Sequence, residues 1–135
     1  NMVHPLSAQK NITFYLDFSE SKMILTMDMF YEKVKAAVDE SSTNARIIVA
    51  RIQDELPLPL GVVYCVAKNT KNMKYPDRKG DFLWTDLVKS GKGVTLPPVD
   101  YRKDETAVIL YSGGTSGKQK GIMRRSGSRC DRRGR

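Results

Sequence analysis

The chain has 135 residues, of which 40% are apolar and 28% are charged, and its formal net charge is +8. A chain of this length can build one domain with a modest core, but not two. No stretch approaches the roughly 20 apolar residues that a membrane-spanning helix needs, and the first ten residues do not resemble a targeting signal. We therefore predict a soluble, cytoplasmic protein without a membrane span.

The predicted elements begin with a helix and continue as strand, helix and strand. Ser7 is the predicted N-cap of the first helix and Asp28 that of the second, because their side-chain oxygens can accept from unpaired amides of the first turn. Short apolar runs at Met23–Met27 and Ile47–Ala50 predict two strands. The predicted inward faces of the two helices are Ala8, Ile12, Tyr15 and Leu16, then Phe30, Val34, Ala37 and Val38.

Both predicted strands are apolar throughout, without alternating polar residues. This pattern is typical of parallel strands that are covered on both faces. The sequence therefore predicts an α/β fold with a partial parallel sheet built from βαβ units.

The second half of the chain alternates loops with short elements. Asp54–Leu60 is rich in proline, and we expect it to lie outside helices and central strands. Gly61–Ala67 fits either a strand or a short helix. Lys68–Asp81 is a basic loop that we interpret as a solvated surface, and Phe82–Ser90 is a predicted short helix. A second loop, Gly91–Asp104, leads into the last predicted element.

A glycine-rich loop begins where the clearest predicted strand, Thr106–Tyr111, ends. Glycines let several backbone amides turn towards one point, hydroxyls add donors, and a lysine adds a charge that offsets that of a phosphate. The loop therefore predicts a cradle for an anion. Its predicted binding residues are Ser112, Gly113, Gly114, Thr115, Ser116, Gly117 and Lys120.

The loop does not fit the P-loop pattern G-x-x-x-x-G-K-[ST]. If Gly117 and Lys118 end that pattern, its first glycine falls on Ser112. The residue after the lysine is Gln119, where the pattern needs serine or threonine. The sequence therefore excludes a P-loop signature at this position.

Tyr111–Gly121 instead meets every fixed position of the pattern Y-[ST]-[SG]-G-[ST]-[TS]-G-x-x-K-G. In this it resembles the AMP-binding, adenylate-forming superfamily of acyl-CoA synthetases, luciferases and peptide-synthetase adenylation domains. Gln119 stands where proline is usual in that family. Upstream, His4–Ser7, Phe14–Met27 and Asp104–Ala107 resemble family segments in the same order and spacing.

The resemblance implies a fragment of the large N-terminal domain of an AMP-forming acyl-CoA synthetase. Such an enzyme joins a carboxylic acid, with a fatty acid as one candidate, to ATP with Mg²⁺, and then passes the acyl group to coenzyme A. The family's loop holds the β- and γ-phosphates. When the family's loop is aligned with this sequence, the resemblance implies phosphate contacts at Ser112, Thr115, Ser116 and Lys120. It also implies backbone access to the phosphates at Gly113, Gly114 and Gly117.

The family's magnesium-binding glutamate and catalytic lysine lie downstream of this loop. The resemblance therefore implies no catalytic and no metal-binding residue in this chain, and we predict that the chain alone is inactive. We also expect an open sheet edge and exposed apolar faces, since neighbouring strands would be missing. Cys65, Cys130 and His4 match no metal or redox spacing.

Residues 1–123 are predicted to form a partial AMP-binding domain that ends with the loop. Residues 124–135 hold six arginines and one aspartate, a net +5 of the total +8, and show no apolar periodicity. We interpret them as a disordered basic tail or a stretch translated in a shifted frame. The alternative function is a non-catalytic nucleic-acid-binding or interaction fragment that uses these arginines. Because no aromatic residues stand among them, we do not expect a nucleic-acid partner.

Overall fold

A parallel three-stranded sheet organises residues 5–94 of the computed structural model, which describes residues 1–67, 76, 79–98, 102, 104–113 and 119–126. Residues 1–4 and 95–135 make up a second compact unit.

Helices and strands alternate along residues 5–94. They are α1 (Gln9–Phe18), β1 (Met23–Met27), a 3-10 turn (Asp28–Phe30), α2 (Tyr31–Glu40), β2 (Arg46–Ala50), a second 3-10 turn (Ile52–Glu55), α3 (Leu58–Ala67), β3 (Phe82–Leu83) and α4 (Trp84–Ser90). The strand order is β1-β2-β3, and both neighbouring pairs are parallel. The predicted α/β class is confirmed, and β1, α2 and β2 form the predicted βαβ unit.

The core forms where α2 packs against α1 and against β1 and β2. Of the predicted inward residues, Ala8 is exposed and Phe30 is half-buried, whereas the other six are buried. Tyr31 is also fully buried, although it was not among the predicted inward residues. It lies about one helical turn before Val34 and therefore faces the same side of α2. The buried apolar residues are Ile12, Tyr15, Leu16, Tyr31, Val34, Ala37, Val38, Ala45, Ile47 and Val49.

Both predicted N-caps are wrong. Ala8 is the N-cap of α1, and no side chain caps that helix. Asp28 begins the 3-10 turn after β1, where its Oδ1 accepts a hydrogen bond from the Met29 N–H at 2.9 Å. Helix α2 starts only at Tyr31. The buried Asp28 carboxylate therefore stabilises the turn between strand and helix and does not cap α2.

One face of β1 is open to solvent. Met23, Leu25 and Met27 are 56%, 57% and 43% exposed, whereas Ile24 and Thr26, which face the other way, are half-buried. The prediction that both faces are covered is therefore wrong for β1. The prediction of an open edge with an exposed apolar face is confirmed for the described residues, among which β1 is the end strand of this sheet.

Helix α3 begins inside the proline-rich segment that was predicted to stay out of helices. Pro59 is tolerated because it lies in the first turn, where a backbone N–H has no partner within the helix. Gly61 lets α3 approach the preceding turn, since a Cβ at this position would lie 3.1 Å from the Gln53 carbonyl oxygen. Gly61–Ala67 is therefore helical and not a strand. Among the described residues, no helix is both long and apolar enough to cross a membrane.

The predicted helix at 82–90 begins two residues later than expected, because Phe82 and Leu83 pair with Ile48 and Val49 as β3. Asp81 reinforces this pairing, since its Oδ1 accepts a hydrogen bond from the Ile47 N–H at 2.8 Å. Residues 68–75, 77 and 78 of the predicted basic loop lie outside the described residues, and Lys79 is exposed.

Asp17 ties the end of α1 to the turn that follows α2. Its Oδ1 accepts hydrogen bonds from the Ser42 hydroxyl, the Ser41 hydroxyl and the Ser42 N–H, each at 2.9 Å. These donors, the Ser42 hydroxyl first among them, hold the pKa of Asp17 below its ordinary value of 3.8. A lowered carboxyl pKa adds stability that is fully present above the pKa of the unfolded state. That stability is lost as the pH falls through the folded pKa.

Replacing Asp17 with alanine should lower the melting temperature of residues 5–94 at pH 7. The difference from the unmodified chain should shrink as the pH drops below about 4 and vanish once the folded carboxyl is protonated. Thermal unfolding across this pH range measures the effect, with Glu55→Ala as a control for the loss of an exposed acid. If the difference in melting temperature between Asp17→Ala and the unmodified chain stayed constant with pH, the Asp17 carboxylate would not be the source of the stability.

Candidate functional site

The glycine-rich loop connects two antiparallel strands, β4 (Thr106–Gly113) and β5 (Gln119–Arg125). The predicted strand at 106–111 is confirmed and extends two residues further, to Gly113. Its ladder is regular from Val108 to Gly113 and shifts register between Thr106 and Val108. On the other side of β4, the Met2 N–H donates to the Ile109 carbonyl oxygen at 3.2 Å. The loop is therefore held at both ends by a defined hairpin.

Three of the seven predicted binding residues lie at the loop end of this hairpin. Ser112 and Gly113 close β4, and Lys120 is the second residue of β5. The register places Ser112 directly opposite Lys120. Residues at opposite positions of an antiparallel pair have Cα atoms about 4.5–5.5 Å apart. The fold thus brings together two residues that are eight positions apart in the sequence. Gly114, Thr115, Ser116 and Gly117 lie outside the described residues.

The loop end of the hairpin carries positive charge. Lys120 is exposed, and residues 111–113 and 119–121 include no acidic side chain. An ammonium that faces solvent beside a Gly- and Ser-containing strand end can attract and bind an anion such as phosphate. The same residues offer no carboxylate ligand, which Mg²⁺ prefers in proteins. Mg²⁺ therefore does not fit this part of the hairpin as a protein-bound ion.

Strand β5 crosses the predicted boundary at residues 123 and 124. Arg124 and Arg125 lie in the strand, where Arg125 is 4.0 Å from Asp104 in an exposed ion pair. The Ser126 N–H then donates to the Glu105 carbonyl oxygen at 2.9 Å. The start of the basic segment is therefore paired backbone. Residues 127–135, which hold its other arginines, lie outside the described residues.

Strand β5 and its pairing were not predicted from the sequence. The available signal was the Ile122-Met123 pair after Gly121, but two apolar residues do not identify a strand partner. The register also places Tyr111 opposite Gly121, and both residues are half-buried. This cross-strand pair lies one position from the Ser112–Lys120 pair.

The remaining reactive side chains of the described residues do not form a second site. The half-buried Cys65 donates its thiol to the Gln53 Oε1 at 2.7 Å. Within the described ranges, no group of three or more His, Cys, Asp or Glu side chains could hold a metal ion. Cys130 lies outside those ranges.

The protein-family model for AMP-binding enzymes matches residues 1–131 of this chain. The chain is 25% identical over 123 residues to a long-chain-fatty-acid–CoA ligase of Bacillus subtilis (strain 168), covering 89% of this chain and 22% of that protein. It is 29% identical over 114 residues to an acetyl-coenzyme A synthetase of Yersinia pestis (strain Pestoides F), covering 81% and 16% respectively. It is also 29% identical over 107 residues to a 3-hydroxypropionyl-coenzyme A synthetase of Sulfurisphaera tokodaii, covering 79% and 15%.

Among solved structures, the luciferase-like enzyme of the nonluminescent mealworm Zophobas morio matches with a TM-score of 0.58 at 16% identity. The match covers 93% of this chain and 24% of that one. At this low sequence identity, the match shows a similar fold only. The chain spans between 15% and 22% of the length of the curated relatives named above.

Proposed function

This chain belongs to the AMP-binding enzyme family, and from that premise we propose that it is the phosphate-binding portion of an ATP-dependent, AMP-forming acyl-CoA synthetase. In the proposed assignment, residues 1–123 are part of the large domain, and the basic segment 124–135 begins with Arg124 and Arg125 still in strand β5. The proposed location is the cytoplasm.

The observation that carries this proposal is the Ser112–Lys120 pairing at the loop end of the β4–β5 hairpin. The sequence pattern supports a phosphate loop but does not by itself say how the two ends of the loop are arranged. In the hairpin, Ser112 lies opposite Lys120, so both ends of the loop are held by strand pairing. The exposed Lys120 also places a positive charge beside the loop. This arrangement supports the binding of a di- or triphosphate, because a lysine charge and nearby donors can offset negative charge that is spread over several oxygens.

The reaction that we propose for the whole enzyme has two steps. A carboxylate oxygen attacks the α-phosphorus of ATP, the bond to the bridging oxygen breaks, and pyrophosphate leaves. The thiol of coenzyme A then attacks the acyl carbon, and AMP leaves with the electron pair of the broken bond. In this scheme the chain's own residues bind the β- and γ-phosphates and stabilise the charge that grows on pyrophosphate. We propose Ser112, Thr115, Ser116 and Lys120 as the contacts, with backbone access at Gly113, Gly114 and Gly117.

The proposed substrate class is a carboxylic acid. The relatives are named for long-chain fatty acids, acetate and 3-hydroxypropionate, which share a carboxylate and differ in the acyl chain. A fatty acid is the narrower proposal, supported by the Bacillus subtilis ligase. Mg²⁺ would arrive as the MgATP complex, because the described end of the hairpin holds no acidic ligand for it.

Titration calorimetry of the 135-residue chain tests the proposed site. We expect magnesium pyrophosphate and MgATP to bind and adenosine not to bind, because the proposed contacts reach only phosphates. Equal binding of adenosine and MgATP, or no binding of pyrophosphate at millimolar concentration, would contradict the proposal.

The same preparation tests whether the chain is inactive by itself. Mixed with MgATP and acetate or palmitate, it should release no AMP or pyrophosphate above background. Carboxylate-dependent release of pyrophosphate from the chain alone would show that the predicted inactivity is wrong.

A further inference from the structure

Gly121 is a weak point in the hairpin that carries the proposed phosphate loop. A glycine inside a strand has no side chain to pack and lowers the stability of the pairing around it. Further along β5, Ile122 and Met123 are 57% and 67% exposed, so they add little burial to hold the strand in place. The ladder is also irregular at its far end, between Thr106 and Val108. The register next to the loop therefore needs another determinant.

Tyr111 occupies the position directly opposite Gly121. An aromatic side chain across from a strand glycine can cover the exposed backbone there and compensate for the missing side chain. Both residues are half-buried, as such a covered pair requires. Tyr111 also precedes Ser112, so it acts at the last ladder position before the proposed anion contacts.

A one-residue slip of β5 would remove Lys120 from its position opposite Ser112. Because side chains alternate between the two faces of a strand, such a slip would also move Lys120 to the other face of the hairpin. We infer that Tyr111 is a positioning residue, which holds the β4–β5 register through its pairing with Gly121 and thereby fixes Lys120 for phosphate binding. The role in binding rests on the proposed function, whereas the role in register does not.

Tyr111 acts without touching the phosphate. Residues 111 and 121 belong to one face of the ladder, and Lys120 belongs to the other. Loss of the ring therefore changes phosphate affinity only through the register. Because the proposed covering of Gly121 is a property of the ring, Tyr111→Phe should leave the register and the phosphate affinity unchanged.

The test compares Tyr111→Phe with Tyr111→Ala in the full 135-residue chain, with Ile109→Ala as the matched control. Ile109 shares the face of Tyr111 but lies two ladder pairs further from the loop, opposite Met123. Cross-strand nuclear Overhauser effects between the backbones of residues 112 and 120 report the register. Calorimetric titration with magnesium pyrophosphate reports the affinity. The single tryptophan, Trp84, lies in residues 5–94, and its fluorescence verifies that this unit stays folded.

We expect Tyr111→Ala to weaken the cross-strand signals strongly and to bind pyrophosphate about 5-fold more weakly, the size of a strong cross-strand pair. Tyr111→Phe and Ile109→Ala should keep the signals and stay within about 2-fold of the unmodified chain. Retention of the signals in Tyr111→Ala would overturn the inference, and so would their loss in Tyr111→Phe. If the unmodified chain does not bind pyrophosphate, the proposed function fails while the backbone signals still decide the role in register.

Discussion

Replacing Ile47 with alanine should lower the free energy of unfolding of residues 5–94 by about 2–5 kcal/mol. Ile47 lies in the central strand β2 and its side chain is fully buried. The substitution removes three carbon atoms from a face that α2 covers and leaves a cavity that the surrounding helices and strands can fill only in part. Since domains have only about 5–15 kcal/mol of stability, this single change removes a large fraction of it.

Leu25→Ala is the matched control for this prediction. Leu25 is a residue of similar size in the neighbouring strand of the same sheet, but it is 57% exposed. Its truncation should cost less than about 1 kcal/mol, because little apolar surface is lost from the interior. Urea unfolding followed by the fluorescence of Trp84 measures both variants. Equal destabilisation by the two substitutions would mean that the face of Leu25 is as well covered as that of Ile47.

Replacing Lys120 with alanine should weaken the binding of magnesium pyrophosphate by about 10- to 100-fold, the usual cost of losing a hydrogen bond to a charged group. Lys120 is the one cation among residues 111–113 and 119–121, the described residues nearest the loop. Its ammonium lies at the rim where the phosphates are proposed to bind. The effect should be larger at low salt, because Lys120 is exposed and salt screens its charge.

Two further variants separate a local contact from a general effect of charge. Lys92→Ala removes an exposed lysine from the turn after α4, in the other compact unit, and should leave pyrophosphate affinity within about 2-fold. Lys120→Arg keeps the charge but changes its geometry, so it should bind between the unmodified chain and Lys120→Ala. Calorimetric titration at two salt concentrations measures all three variants. If Lys92→Ala weakened binding as much as Lys120→Ala, the attraction would be a property of the net charge and not of the hairpin.

The structure differs from the sequence-based predictions where the position of a residue in its helix, or its pairing with another strand, outweighs its local propensity. The proline of α3 was taken as a helix breaker, yet Pro59 lies in the first turn, where its missing N–H is harmless. Phe82 and Leu83 fit a helix by their local pattern, but they pair with β2, and the Asp81 carboxylate reinforces this join. Local propensity is a weak preference, and a strand partner that is distant in the sequence overrides it.

The sequence by itself determined the two helical stripes, the strands β1, β2 and β4, and the motif from Tyr111 to Gly121. These are local signals, since helical periodicity and the composition of a loop are complete within about ten residues. Only the tertiary structure decided that β5 pairs with β4, that Ser112 stands opposite Lys120, and that one face of β1 is open. Each of these depends on which strands pair and pack together, which the composition and periodicity of a single segment do not reveal. An apolar strand has the same sequence whether one or both of its faces are covered.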